Sequence, residues 1–258
     1  MSCDLVKTPA PVNAKDKRRI LFLDVETTGL IDRKITLTEE TCHQFPYATQ
    51  ISCVLYGADT KKIERKLNYY IKIPDSVPVS PFITELTGVD RGMLQTQGVD
   101  IVCALTSVYD LYSECDLVVA HNYAFDSQVL MAEIVRNRAA LPTYCRNMFD
   151  GKTDSWCTMA KGRDICKIWT TSPKGVRYMK VPKLAELYVH LFQKMSDRLV
   201  LHNSMVDTLL CFRCFMQTEL DTYIPESGFL ELVETLSGVN LQPIYTMGTR
   251  FNSVSVLC

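Results

Sequence analysis

Apolar and polar positions along the chain follow two periods, and together they predict an α/β order. The first clear signal is the apolar run at 20–23, which stops abruptly at Asp24-Val25-Glu26-Thr27-Thr28-Gly29. A short apolar run with a polar stop reads as a buried strand reaching its edge. Residues 50–57 and 67–73 read as two more strands, separated by a charged turn at 59–65. The stretch 31–49 is a long polar connection without a period. Pro74, Pro78 and Pro81 close this block, and PFITELTGVD reads as a short helix stopped at Gly88. Val102, Leu105, Val108, Tyr109 and Tyr112 give 101–112 a helical spacing. Residues 116–120, DLVVA, form another short buried strand ending at His121 and Asn122, and a helix follows over about 124–138. Residues 141–181 read as irregular apart from a helix at 157–166. Pro182, in a first helical turn, opens a helix over 183–192. The last strong helix spans 204–218, and 229–236 forms one more; 243–258 carries no period. Three strands in succession, then helix alternating with strand, predict an α/β sandwich around a mixed sheet.

The length of 258 residues suits one domain with an appendage, and 47% hydrophobic residues are enough for a full core. The expected division is a flexible lead at 1–17, a domain at 18–220 and a C-terminal extension at 221–258. Eleven cysteines, odd in number and without paired spacing, argue for reduced thiols inside a cell, in cytoplasm or nucleus. The single CxxC, Cys211 and Cys214, falls in an apolar helical pattern and reads as core. No apolar run approaches a membrane span of about 18 residues, and the N-terminus lacks the apolar stretch of a signal peptide. The net charge of −1 gives no overall pull toward nucleic acid, so such a partner needs a local patch. Residues 161–183 supply one. Lys161, Arg163, Lys167, Lys174, Arg177, Lys180 and Lys183 stand against Asp164 alone, a local charge of +6, with Trp169 and Tyr178 interleaved for stacking on unpaired bases.

Candidate chemistry changes the picture most. On a strand, Asp24 and Glu26 share one face, about 6–7 Å apart. Adjacent acids repel when ionised, so such a pair persists when a cation sits between them or one acid keeps its proton. Asp126 falls in the first turn of the helix after 116–120, where the helix dipole favours an acid. Asp207 lies near the start of the 204–218 helix beside apolar neighbours, and a carboxylate there needs a partner. His202 converges on Asp207 only if it precedes the helix, with Asn203 or Ser204 as N-cap. Four carboxylates on two strand ends and two helix starts can meet at one sheet edge. Hard oxygen donors without cysteine suit Mg²⁺ or Mn²⁺, and two such ions about 4 Å apart clamp a phosphate. A neighbouring histidine can take the proton from water.

The ordered motifs Asp24-Val-Glu26-Thr-Thr-Gly, His121-Asn-x-x-Phe125-Asp126 and His202-x4-Asp207 resemble the three exonuclease motifs of the DEDDh group of 3′→5′ exonucleases. That group includes ribonuclease T, oligoribonuclease and the proofreading subunits of bacterial replicative polymerases. Position 203 is Asn, so the tyrosine form of the third motif is absent. LTGVD at 86–90, WCTMA at 156–160 and KLAELY at 183–188 also resemble family segments, and the likeness covers about 18–220. It implies an RNase H-like mixed five-stranded sheet flanked by helices. It further implies that Asp24, Glu26, Asp126 and Asp207 hold two metal ions, with Asp24 bridging them, and that His202 is the general base. Thr27, Leu30, His121, Asn122 and Phe125 match positions lining the 3′-terminal nucleotide pocket. In the family, Thr27 would bond near the scissile phosphate, and Leu30 and Phe125 would pack on the terminal base. The segment 31–49 and the chain after 221 have no counterpart.

The resulting expectation is a metal-dependent 3′→5′ exonuclease releasing nucleoside monophosphates from single-stranded DNA or RNA. Lys174 and Arg177 would contact the incoming strand. The alternative is a catalytically silent nucleic-acid-binding or polymerase-complex subunit on the same fold. A small-molecule metal phosphoesterase would not need the basic, aromatic segment. Family members are often dimers, so the resemblance allows a homodimer or a place in a replication or repair complex.

Overall fold

The structure is a computed structural model, and it describes residues 13–238. Its centre is a five-stranded sheet in the order β3-β2-β1-β4-β5. Strands β1 (Arg19–Thr27), β2 (Ala48–Gly57) and β3 (Lys62–Tyr70) form an antiparallel meander. Strands β4 (Leu117–Ala120) and β5 (Asp154–Cys157) run parallel to β1. The mixed sheet flanked by helices is the RNase H-like architecture expected from the resemblance.

Alternation along β1 and β2 divides the core in two. Ile20, Phe22, Val54, Leu117 and Val119 face three helices: α6 (Leu184–Phe192), α7 (Ser204–Glu219) and α8 (Glu226–Ser237). Phe22 meets Phe212 of α7 edge-on, with ring centroids 5.1 Å apart. Leu21, Leu23, Ile51, Cys53, Leu55 and Val118 face α3 (Ile101–Tyr112) and α4 (Tyr123–Arg136). Residues of even number in β1 point to α7, so Asp24 and Glu26 emerge on that side where the strand passes the end of β4. Cys211 and Cys214 are buried in α7, as core residues.

Several elements differ from the expected pattern. The charged turn is shorter than 59–65, because Lys62, Glu64 and Arg65 belong to β3. They occupy the outermost strand, where exposed charge suits an unpaired edge. Helix α1 (Pro81–Thr87) ends as expected at Gly88, in the left-handed region at φ 73. A second short helix follows it, α2 (Arg91–Gln97), capped by Asp90. The segment 141–181 is not irregular: β5 completes the sheet, α5 spans Thr158–Cys166, and β6 (Trp169–Thr171) pairs with β7 (Arg177–Met179) as a separate hairpin. Pro182 lies before Lys183, the N-cap of α6, rather than inside the helix.

The lead at 1–17 falls mostly outside the described residues. Its end forms a 3₁₀ turn at Ala14–Asp16, which buries Ala14 against the α7 core. The region 243–258 also lies outside them. After residue 220 the chain continues into the core, for α8 buries Phe229 and Val233 there. Arg213 of α7, itself 1% exposed, donates to the carbonyl of Ile224, to Tyr188 and to the Glu226 carboxylate, tying α7, α6 and α8 together. No helix among the described residues is long and apolar enough to cross a membrane.

The connection 31–49 is tied down near its end. Arg136, in the last turn of α4, donates to the carbonyls of Cys42 (2.9 Å), Phe45 (2.7 Å) and Pro46 (2.9 Å). It also pairs with Glu133 at 2.7 Å, and that carboxylate accepts the Ala48 N–H at 2.9 Å. On the other side Thr28 and Tyr47 exchange bonds. The Thr28 N–H donates to the Tyr47 carbonyl at 2.9 Å, and the Tyr47 N–H to the Thr28 hydroxyl at 3.0 Å.

Candidate active site

Strand β4 stops at Ala120, one residue after its last pairing with β1 at Phe22 and Val119. The chain turns through Asn122, in the left-handed region at φ 75, and enters α4. Asparagine tolerates that conformation better than most residues. The turn brings Asp126 back to β1, where its Oδ1 accepts the Val25 N–H at 3.1 Å. The carboxylate thereby takes the place of the strand that has ended. From the opposite face comes α7. Asn203 caps it, its Oδ1 accepting from Met205 and Val206 N–H at 3.2 and 3.4 Å. Asp207 then stands one turn into the helix. His202 precedes the cap at φ 61, and its N–H donates to Asp207 Oδ2 at 3.2 Å. The expected placement of His202 ahead of the helix holds. Ligand atoms of Glu26, His202 and Asp207 lie within 4.8 Å of one another.

The electrostatics follow from crowding. Asp24 is pushed well above the ordinary carboxylate range by burial, then by the charges of Asp126, Asp207 and Glu26. Burial likewise raises Glu26 to about 8, with help from Asp207, and Asp207 to about 7. Asp126 is also raised well above its ordinary value, burial outweighing the Val25 bond. His202 is pushed down, by burial and by the charge of Lys183. Asp207 Oδ1 is buried with no hydrogen-bond partner. Crowded carboxylates holding protons, an orphaned buried oxygen and no thiolate among the donors fit a hard divalent cation.

The other expected site residues divide. Leu30 is 88% exposed beside the cluster's strand, an unusual place for leucine unless it meets something apolar. Phe125 is half-buried against the α3–α4 core. Asn122 forms the turn into α4. Thr27 is buried, and its hydroxyl donates to the Gly29 carbonyl at 2.6 Å, so the tight turn uses that proton. His121 is engaged elsewhere. Nδ1 lies 3.0 Å from the Thr158 hydroxyl and Nε2 3.1 Å from the Pro182 carbonyl. Burial lowers its pKa to about 4. A neutral ring that donates through Nε2 and accepts at Nδ1 satisfies both contacts, so His121 is a strut between β4, α5 and the approach to α6.

Lys174 and Arg177 lie on the exposed β6–β7 hairpin, with the Arg177 guanidinium 5.0 Å from the Trp169 ring centroid. Trp169 is 56% and Tyr178 47% exposed. The rest of the basic segment is less uniform. Lys180 pairs with Glu186 at 2.5 Å, Lys161 sits over the Trp156 ring at 4.4 Å, and Arg163 lies 3.6 Å from Asp164. Sequence reading overlooked the Arg136–Glu133 pair and the Thr28–Tyr47 exchange. Glu133 and Arg136 stand at i,i+3 spacing within α4, but their further partners at 42–48, like Tyr47 for Thr28, lie far along the chain, and nothing local announces those.

An exonuclease family profile, of the RNase T type, matches residues 21–215 and so spans all three motifs. No curated protein matches the chain by sequence. Among solved structures, E. coli exonuclease I in complex with a dT13 oligonucleotide superposes with a TM-score of 0.56 at 15% identity, over 79% of this chain and 42% of that one. The zinc-bound form of the E. coli exonuclease I–ssDNA complex gives 0.56 at 16%, over 85% and 43%. The chain thus spans less than half the length of these proteins, and at such identities the likeness is one of fold. With the profile covering most of its length, the chain belongs to the RNase T-type exonuclease family, in its DEDDh group.

Proposed function

We propose that this protein is a divalent-metal-dependent 3′→5′ exonuclease that hydrolyses the terminal phosphodiester of a single strand and releases nucleoside monophosphates. The observation that carries this reading is the convergence of Asp24, Glu26, Asp126, Asp207 and His202 where β1 passes the end of β4. The exonuclease I structures contain single-stranded DNA, which makes DNA the first substrate to test, with RNA beside it.

Asp24, Glu26, Asp126 and Asp207 would hold two Mg²⁺ or Mn²⁺ ions. When bound, the ions supply Lewis acidity that makes water nucleophilic near neutral pH and offsets charge on the departing oxygen. His202 takes the proton from the attacking water. Burial and Lys183 keep its imidazole neutral and ready to accept. Asp207, accepting the His202 N–H, holds that residue at the head of α7. Leu30 and Phe125 pack on the terminal base, with Asn122 at the turn that leads into Phe125 and Asp126. Lys174 and Arg177, with Trp169 and Tyr178, receive the strand that follows. The nine described cysteines are all free thiols, which supports work in a reducing cytoplasm or nucleus.

The test is a 5′-labelled single strand of DNA or RNA, incubated with Mg²⁺, Mn²⁺ or EDTA. Wild type should shorten it from the 3′ end with either metal and leave it intact in EDTA. Asp24→Ala and Asp207→Ala should release nothing. His202→Ala should lose roughly 10²–10⁴-fold in rate while still binding Mn²⁺. Normal degradation by Asp24→Ala would defeat the assignment.

A further inference from the structure

A seam of buried polar side chains crosses the sheet beneath the acidic cluster. Gln50 and Ser52 of β2 are wholly buried on the face toward α7, opposite Glu26 and Asp24 in the register of β1. An apolar residue would be the ordinary choice in a strand buried on both faces, because a buried amide costs free energy unless its groups are bonded. Gln50 is bonded at both ends. Its Oε1 accepts the Ser204 N–H at 3.2 Å, and its Nε2 donates to Asn68 Oδ1 at 2.9 Å. Asn68, on β3, also accepts the Ser52 hydroxyl at 3.0 Å. Ser204 donates its own hydroxyl to the Asp24 carbonyl at 3.0 Å.

The location of these bonds matters more than their number. The first N–H groups of a helix have no partner within it. Asn203 takes those of Met205 and Val206, and Gln50 takes that of Ser204. Asp207 follows three residues later on the same turn, and His202 precedes by two. Apolar contacts of Phe212 and Phe215 with Phe22, and the burial of Met205 and Val206, hold α7 against the sheet, but such contacts are non-directional and do not by themselves set the register of its first turn. The seam fixes that turn against the strand bearing Asp24 and Glu26. A neutral amide serves here, where a carboxylate would add a fifth negative charge beside Glu26.

We propose that Gln50 is a positioning residue for the reaction, anchored by Asn68, which sets the register of the first turn of α7 so that Asp207 and His202 meet Asp24 and Glu26. The proposal rests on the exonuclease reading above. A displacement of about 1 Å among reacting groups costs on the order of 10²-fold in rate.

Gln50→Met keeps the volume and removes both bonds. It should lower kcat at least tenfold while leaving KM within about twofold. Amide hydrogen exchange should accelerate at 202–206 and stay unchanged in β1 and in the rest of α7. Asn68→Leu should reproduce part of both effects, and Asn68→Asp, which keeps the acceptor, should restore most of the loss. Asp24→Ala runs in parallel. If Asp24→Ala is active, the exonuclease reading itself falls. If Asp24→Ala is dead and Gln50→Met keeps its kcat within twofold, only the positioning role is overturned. Exchange that accelerates throughout the sheet would assign Gln50 to the fold alone and equally overturn it. Should Gln50→Met fail to fold, the contrast between Asn68→Leu and Asn68→Asp decides by the same readouts.

Discussion

Burial, helped by the charge of Asp207, raises the pKa of Glu26 from 4.5 to about 8, and burial alone raises that of Asp207 from 3.8 to about 7 against the His202 N–H bond. A carboxyl raised in the native state keeps a proton that the unfolded chain has already released. The native state therefore has its full advantage below the unfolded values and loses it as pH rises toward 7 and 8. Asp24 and Asp126, raised for the same reason, act in the same direction. His121, lowered to about 4 from 6.5, opposes them: its contribution is complete above 6.5 and fades as pH falls toward 4. The four acids should prevail. In EDTA the melting temperature should fall from about pH 5 to about pH 8, and Mg²⁺ or Mn²⁺ should raise it more at the upper end, where binding need not expel protons. A flat profile in EDTA, unmoved by metal, would contradict the crowded cluster. The acids were readable in the sequence because each interrupts an apolar pattern. The engagement of His121 was not, since Thr158 and Pro182 lie far from it along the chain.

At the scale of elements, β1, β4, α4 and α7 were legible because each carries its own boundary: an apolar run with a polar stop, or a cap such as Asn203. β5 and the β6–β7 hairpin were not. Asp154-Ser155-Trp156-Cys157 buries only Trp156, and the hairpin strands are three residues each and mostly exposed, so neither has a periodic signal. The hairpin's exposure is what suits it to the proposed strand contact. Lys174→Glu with Arg177→Glu should raise KM for a single-stranded oligonucleotide at low salt with little change in kcat. The salt dependence of KM should flatten as well, by about two contacts' worth of slope. An unchanged salt slope would remove the hairpin from the binding path. Lys180, paired with Glu186, is expected to contribute less.

For the whole molecule, the boundary near residue 220 that the motifs suggested falls inside a packed unit. A family likeness marks where motifs end, whereas burial decides where a domain ends. Arg213 fills the space among Tyr188, Phe192 and Phe229, and its charge depends on Glu226 and the Ile224 carbonyl. A chain ending at 220 would strand this buried guanidinium and expose the pocket of Phe229 and Val233. Urea unfolding should show such a chain strongly destabilised or unfolded. Glu226→Ala alone should cost about 3 kcal/mol, the lower end for breaking a buried pair, because Glu226 keeps some solvent contact. A midpoint equal to that of the full chain would show that α8 is dispensable.

The stitching of Thr28 to Tyr47, backed by Arg136, has a consequence for how this protein can change. It pinches the backbone shut at the foot of the excursion between them, so the outer part, 31–41, is a tongue with a fixed root. Lengthening or trimming such a tongue disturbs mainly its own closure entropy, about 0.6 kcal/mol for each doubling, and leaves β1 undisturbed. The lip beside Leu30 can therefore be remodelled for a different guest without retuning the acids behind it.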